Sequence, residues 1–185
     1  MSRKKIRLLV STVVFLTFLG FQVYKQYYPQ KTVLSVSDNS KHETTNTFKV
    51  VKVIDGDTFS VSSDNQTLKV RVLGINTPET VDPRRKVECF GKEASDKAKS
   101  LLTGQTVKLE TDPTQDDKDK YGRLLRYVYL PNNKDYGLEM IKSGYAYEYT
   151  YDLPYKYQNE YKSAQIEAER AKVGLWSDTS CNGKS

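Results

Sequence analysis

Between Phe48 and Leu73 the chain reads as β three times in succession, and in the last two stretches apolar and polar residues alternate with a period of two. Phe48–Ile54 ends at Asp55-Gly56, Thr58–Val61 follows directly, and Thr67–Leu73 resumes after Ser63-Asp64-Asn65. Period-two patterning broken by Gly/Asp/Asn turns predicts three short strands in meander order, each with one face turned to a core. Short strands of this kind, with helices interposed, point to a small barrel rather than a parallel α/β sheet.

The rest of the domain adds to this nucleus. Gly91–Thr103 places Ala94, Ala98, Leu101 and Leu102 at helical spacing, and Gly104 stops it. Thr106–Glu110 and Leu124–Leu130 read as two more strands, flanking the charged loop Asp112–Gly122. Tyr136–Lys142 predicts a short helix closed by Gly144. Pro154 to about Lys172 predicts a longer one, with Tyr157, Tyr161, Ala164, Ala168 and Ala171 on its apolar face. The fold class expected is α+β: a five-stranded Greek-key barrel of the OB type carrying about three helices.

Before this domain lies a different kind of sequence. Arg3, Lys4, Lys5 and Arg7 precede an apolar run from Ile6 to about Tyr24. As a helix that run spans roughly 28 Å, enough for a bilayer core. Residues 1–24 therefore read as a signal anchor or a signal peptide, with the basic flank retained inside and the rest exported. Residues 25–46 read as a flexible polar linker, residues 47–178 as the folded domain and residues 179–185 as a C-terminal tail. The expected location is extracytoplasmic: on the cell membrane if the segment stays, secreted if it is cleaved.

The formal net charge is +6, but residues 1–45 hold seven Lys/Arg against Asp38 and Glu43, leaving +1 for the domain. The basic balance thus reports on topology and does not argue for a nucleic-acid surface. The single histidine, His42, lies in the linker. Histidine bases, histidine metal ligands and Ser-His-Asp triads are excluded within the domain, and chemistry must run on carboxylates, arginines and tyrosines. Cys89 and Cys181 are too few for a structural zinc site. In an oxidising compartment a disulfide between them would tie the tail to the segment before a helix; two free thiols are the alternative.

Chemistry-bearing residues concentrate at Asp55-Gly56-Asp57-Thr58, Arg71, Asn76-Thr77-Pro78-Glu79 and Lys120-Tyr121-Gly122-Arg123. Oxygen donors in that number suit a hard cation such as calcium. Two arginines suit a phosphate that gains charge. Glu79 is the carboxylate of its cluster left for activating water, whereas Asp55 reads as a turn former. Asp116–Asp119 reads as a solvated loop. Eleven of the fourteen tyrosines fall between Tyr121 and Tyr161, and most are expected to pack ring in and hydroxyl out.

The segments VKVIDGDT, RVLGINTPET, ECFGKEAS, KYGR and GLWS, in this order, make the chain resemble the staphylococcal (thermonuclease-like) nuclease family from about Phe48 to Trp176. The resemblance implies an OB barrel with three helices and calcium-dependent cleavage of DNA and RNA. It implies Asp57, Asn76 and the Thr77 carbonyl as metal-binding positions and Arg71, Glu79 and Arg123 as catalytic ones. Lys120 and Tyr121 match contacts to a terminal phosphate, Arg85 lies in a basic loop beside the site, and Tyr149 and Tyr151 match two later site tyrosines. The family usually carries aspartate where this chain has Asn76. Nothing implies a protein partner, and a monomer is expected. The competing reading is a surface OB-type module that holds nucleic acid without cutting it.

Overall fold

In the computed structural model the described residues are 47–64, 66–80 and 86–184. The apolar segment 1–24, the linker 25–46 and Arg85 lie outside them. Thr44–Ser185 forms one unit of the chain.

Period-two alternation becomes an antiparallel meander of β1 (Thr47–Asp55), β2 (Thr58–Ser63) and β3 (Gln66–Val72). Val50, Phe59, Val61, Val70 and Val72 fill its interior. A two-residue strand β4 (Ile75–Asn76), helix α1 (Gly91–Leu102), β5 (Thr106–Glu110) and β6 (Leu124–Tyr129) follow. The chain then forms α2 (Tyr136–Lys142), β7 (Tyr147–Glu148), α3 (Gln158–Arg170) and a 3-10 turn at Gly174–Trp176. The barrel closes in the order β1-β2-β3-β6-β5, with β5 pairing back onto β1. All pairs are antiparallel except β3–β6, whose parallel match requires the long crossover through α1 and β5. Closure leaves no barrel strand with an unpaired edge. This is the five-stranded OB architecture with three helices.

Three local expectations need correction. Ile75–Asn76, outside every expected strand, forms β4, and the strand expected over Thr67–Leu73 is β3. That strand ends at Val72, the chain turns at Gly74 (φ +76°), and Ile75–Asn76 pairs separately with Tyr147–Glu148. A side chain at Gly74 would meet the Tyr155 ring at 2.6 Å, so the tight turn needs glycine. The last helix starts at Gln158 rather than Pro154: a turn precedes it, in which the Gln158 N–H donates to the Tyr155 carbonyl (3.1 Å) and the Lys156 N–H to Asp112 Oδ2 (2.8 Å). It ends at Arg170, so Ala171 is exposed and outside the apolar face.

The third correction concerns the tyrosines. Tyr127, Tyr136 and Tyr161 are wholly buried, hydroxyl included. Tyr127 donates to Asp112 (2.6 Å), Tyr136 to the Gly56 carbonyl (2.6 Å), and Tyr161 lies 2.9 and 2.8 Å from the two Asp135 oxygens. Burial pushes all three phenols far above their ordinary range, so they act as donors. Hydrogen bonds to charged partners each contribute about 1.5–3 kcal/mol. These rings lock the helices onto the barrel from within.

Candidate active site

The site grows from the turn between β1 and β2. Asp55 pairs with Thr58 across it, leaving Gly56 and Asp57 at its tip. A Cβ on Gly56 would come within 2.6 Å of the Thr77 side chain, so only glycine lets Thr77 approach. Thr77 gives both its N–H (2.9 Å) and its hydroxyl (3.1 Å) to Asp57 Oδ2, and the Thr58 hydroxyl donates to Asp57 Oδ1 (2.9 Å). Asp57 is therefore oriented by three donors while only 7% exposed.

Barrel register brings the two arginines to the same place. Arg71 lies opposite Thr58 in the β2–β3 ladder, and Arg123 immediately precedes Leu124, the partner of Val70. Arg71 Nη1 donates to the carbonyls of Ile75 (2.8 Å) and Val72 (3.1 Å) and lies 3.3 Å from Asp57 Oδ2. Its Nη2 donates to Asn76 Oδ1 (3.1 Å). Arg123 Nη1 reaches the Thr58 hydroxyl at 3.4 Å. A chain of contacts thus runs Arg71–Asp57–Thr58–Arg123.

Asp119, read from sequence as part of a solvated loop, instead holds Arg123. Its carboxylate accepts Arg123 Nε (2.6 Å) and the backbone N–H groups of Arg123 (3.0 Å) and Tyr121 (2.9 Å). Burial alone would raise this carboxyl, but these bonds outweigh it and hold it below the usual range. Asp117 is likewise committed, to Arg126 Nη2 at 2.5 Å. Tyr121 is 71% exposed and lies beneath both Lys120 (5.2 Å) and Arg123 (5.4 Å) in cation–π geometry.

On the other wall, Glu79 Oε1 accepts the Thr80 N–H (2.9 Å), and the Thr80 hydroxyl donates to Asp55 Oδ1 (3.0 Å). Glu88, which the sequence did not single out, accepts the Glu79 N–H on Oε2 (2.8 Å). Asp55 also accepts the Gly56 N–H (2.8 Å). Burial, reinforced by the charges of Asp57 and Glu79, pushes Asp55 up to about 6 against the pull of those two hydrogen bonds.

That shift predicts a pH dependence. The folded value lies above the ordinary 3.8, so the folded state binds more protons between 3.8 and about 6. Stability is lost as pH rises through that window, by at most about 3 kcal/mol from this group. Asp135, raised mainly by burial, acts in the same direction. In chelator, Asp55→Asn should stabilise the protein at pH 7 and flatten the slope of unfolding free energy between pH 5 and 7. Denaturant unfolding at both pH values checks this; an unchanged slope would refute it.

Asp55, Asp57, Thr58, Lys69, Arg71, Asn76, Thr77, Glu79, Glu88 and Arg123 line one cleft of about 490 Å3. Its donors are oxygens, and the carboxylates of Asp57 and Glu79 beside Asp55 make a negative field that a cation would relieve. Among the described residues no three His, Cys, Asp or Glu side chains converge as a ready metal cluster. Asp57, the neutral Asn76 amide and a Thr77 carbonyl would make a carboxylate-poor set. Such a set suits a hard ion that retains water or substrate oxygens in its shell.

A second hollow of about 460 Å3 shares Arg71, Asn76 and Arg123 with the first and adds Lys120, Tyr121, Tyr149, Tyr151 and Tyr155. Tyr149 and Tyr151 are exposed, their rings 6.5 Å apart. Every candidate residue named from sequence near the site therefore gathers around these two hollows, apart from Arg85, which is not described. The residues missed were Glu88, Asp119 and Tyr136. Of these only Asp119 left a sequence signal, an acid four positions before an arginine.

Comparison with known proteins follows this geometry. Residues 69–178 match the family described as staphylococcal nuclease homologue. The thermonuclease of Staphylococcus hyicus is 43% identical over 132 residues, covering 71% of this chain and 76% of the relative. The thermonuclease of Staphylococcus intermedius is 40% identical over 129 residues, covering 70% and 75%. Endonuclease YncB of Bacillus subtilis (strain 168) is 37% identical over 127 residues, covering 68% and 59%. With more than half its length matched by the family and two thermonucleases aligned along most of their own, this chain belongs to the staphylococcal nuclease homologue family.

Proposed function

We propose that this protein is a nuclease that hydrolyses phosphodiester bonds of DNA and RNA with calcium, outside the cytoplasm. Relatives named thermonuclease and endonuclease support the nuclease reading. One observation carries the finer assignment: Arg71 and Arg123 line the same cleft as Asp57, Asn76, Thr77 and Glu79. Two guanidiniums across from a carboxylate and an oxygen-donor set fit a phosphate and the water that attacks it.

In this reading Asp57, Asn76 and the Thr77 carbonyl hold calcium, which when bound offsets the charge of the scissile phosphate. Glu79 orients the attacking water and takes its proton. Arg71 and Arg123 hold the non-bridging oxygens as negative charge builds on them. Asp119 keeps the Arg123 fork turned toward the cleft. Lys120 and Tyr121 meet a neighbouring phosphate, and Tyr149 and Tyr151 give bases a surface on which to stack. The basic and apolar N-terminal segment and the Cys89–Cys181 pairing support export to an oxidising compartment.

The direct test gives the full chain circular DNA, linear DNA or RNA with calcium, magnesium or chelator, and Glu79→Ala as the control. Calcium-dependent nicking lost in the variant is the expected result. Retained binding without cutting under any metal would instead assign a non-catalytic nucleic-acid module.

Asn76 makes a sharper prediction. It supplies a neutral oxygen, already engaged by Arg71, where a carboxylate would add a second negative charge. Asn76→Asp should lower the calcium concentration for half-maximal activity by roughly tenfold, the effect of about 1.4 kcal/mol of added ion affinity. A calcium titration of cleavage rate checks it; no change or a rise would refute the charge argument.

A further inference from the structure

We propose that Glu88 is the positioning residue for Glu79, and that the Cys89–Cys181 disulfide holds Glu88 in place. This rests on the reading of Glu79 as the base. Glu79 and Glu88 both line the cleft, and two bonds join them in a neck. Glu88 donates its N–H to the Glu79 carbonyl (2.9 Å), and Glu79 donates its N–H to Glu88 Oε2 (2.8 Å). In a regular ladder the second bond would come from backbone. Here the Glu88 carboxylate supplies it, so that side chain helps to place the Glu79 backbone.

The return strand of the neck is anchored on both sides. The Gly91 N–H donates to the Glu88 carbonyl (3.0 Å), and a Cβ at Gly91 would meet Thr80 at 2.7 Å and the Glu79 carbonyl at 3.0 Å. The start of α1 is thus seated against the Glu79–Thr80 backbone. Between Glu88 and that helix stands Cys89, joined to Cys181 with 5.9 Å between Cα atoms. The Cys181 segment is fastened in turn: Gly183 donates to the Leu175 carbonyl (2.9 Å), and Leu175 to the Gly144 carbonyl (2.9 Å). Cys181 is buried and Cys89 is exposed, so a reductant can reach the bond. With it intact, the residue after Glu88 is pinned to the body of the protein 92 positions away in sequence.

The test measures kcat and KM of the full chain on circular DNA with calcium, each variant below its melting temperature. Glu88→Ala should lower kcat by roughly 10- to 100-fold, the scale of a small misplacement of a reacting group, with KM within about twofold. Glu88→Gln should recover most of that loss, because its amide oxygen still accepts the Glu79 N–H. Treatment with a dithiol reductant, which is itself oxidised to a cyclic disulfide as Cys89 and Cys181 become thiols, should lower kcat in the wild type. It should add nothing in Glu88→Ala, since both act through the same contact. Wild-type kcat in Glu88→Ala, a loss in KM alone, or a glutamine variant as slow as the alanine one would overturn the role of Glu88. A reduced wild type at full kcat would overturn the role of the disulfide. Glu79→Ala run alongside separates the causes. If it is inactive while Glu88→Ala is normal, this inference alone fails; if it cuts like wild type, the assignment of Glu79 as base fails first.

Discussion

Glu79→Ala and Arg123→Ala should each lower the rate of DNA cleavage by at least roughly 10²–10³ while leaving the fold intact. The magnitude follows from what phosphodiester hydrolysis demands, since slow uncatalysed reactions require accelerations toward about 10¹⁷. Preorganised charge supplies most of that, and each lost donor removes a transition-state contact that solvent replaces poorly. Both side chains are only partly buried, and neither fills the barrel core. Arg71 is different. It holds two carbonyls, Asn76 and the buried Asp57 carboxylate, so Arg71→Ala strands a charge as well as a phosphate contact. Breaking a buried pair from one side costs about 3–5 kcal/mol, so that variant should lose stability along with activity. Arg71→Lys, which keeps the charge but not the planar fork, should retain more stability than activity. Initial rates and thermal melting of the three alanine variants decide the matter; near wild-type rates in all of them would remove the site assignment.

The second large effect is on stability. Reducing the Cys89–Cys181 bond, or replacing both cysteines by serine, should lower the unfolding free energy by about 4 kcal/mol. The bond closes a loop with a sequence separation of 92, and in the chain-entropy picture a loop that long strongly restricts the unfolded ensemble. For a domain of this size the melting temperature should fall by roughly 10–15 °C. Melting with and without reductant, with a thiol titration to confirm reduction, tests it. An unchanged melting temperature in fully reduced protein would show that the bond restrains a segment already ordered in the unfolded chain.

Much of the barrel was legible because its signals are local. Alternation placed Phe59, Val61, Val70 and Val72 on one face, and glycines at 104 and 144 marked helix ends through their backbone freedom. The candidate site was legible for a related reason: its residues lie in short clusters beside those turns. Misreadings fell where a distant partner overrode local preference. Lys156 sits in a turn tied to Asp112, 44 residues away, and Asn76 joins a strand whose partner is Tyr147. The tyrosines looked amphipathic because nothing local says that Asp112, Asp135 or the Gly56 carbonyl waits inside for a hydroxyl.

From the sequence alone came the five barrel strands, most helix bounds, the inventory of carboxylates and arginines, and the absence of histidine chemistry in the domain. Those properties are written in residue type and short-range spacing. Tertiary structure alone decided that Arg71 and Arg123 flank one Asp57, and that Glu88 clasps Glu79 beside a disulfide to the C-terminal segment. These are contacts between residues whose separation along the chain bears no relation to their distance in space, and only barrel closure and register bring them together.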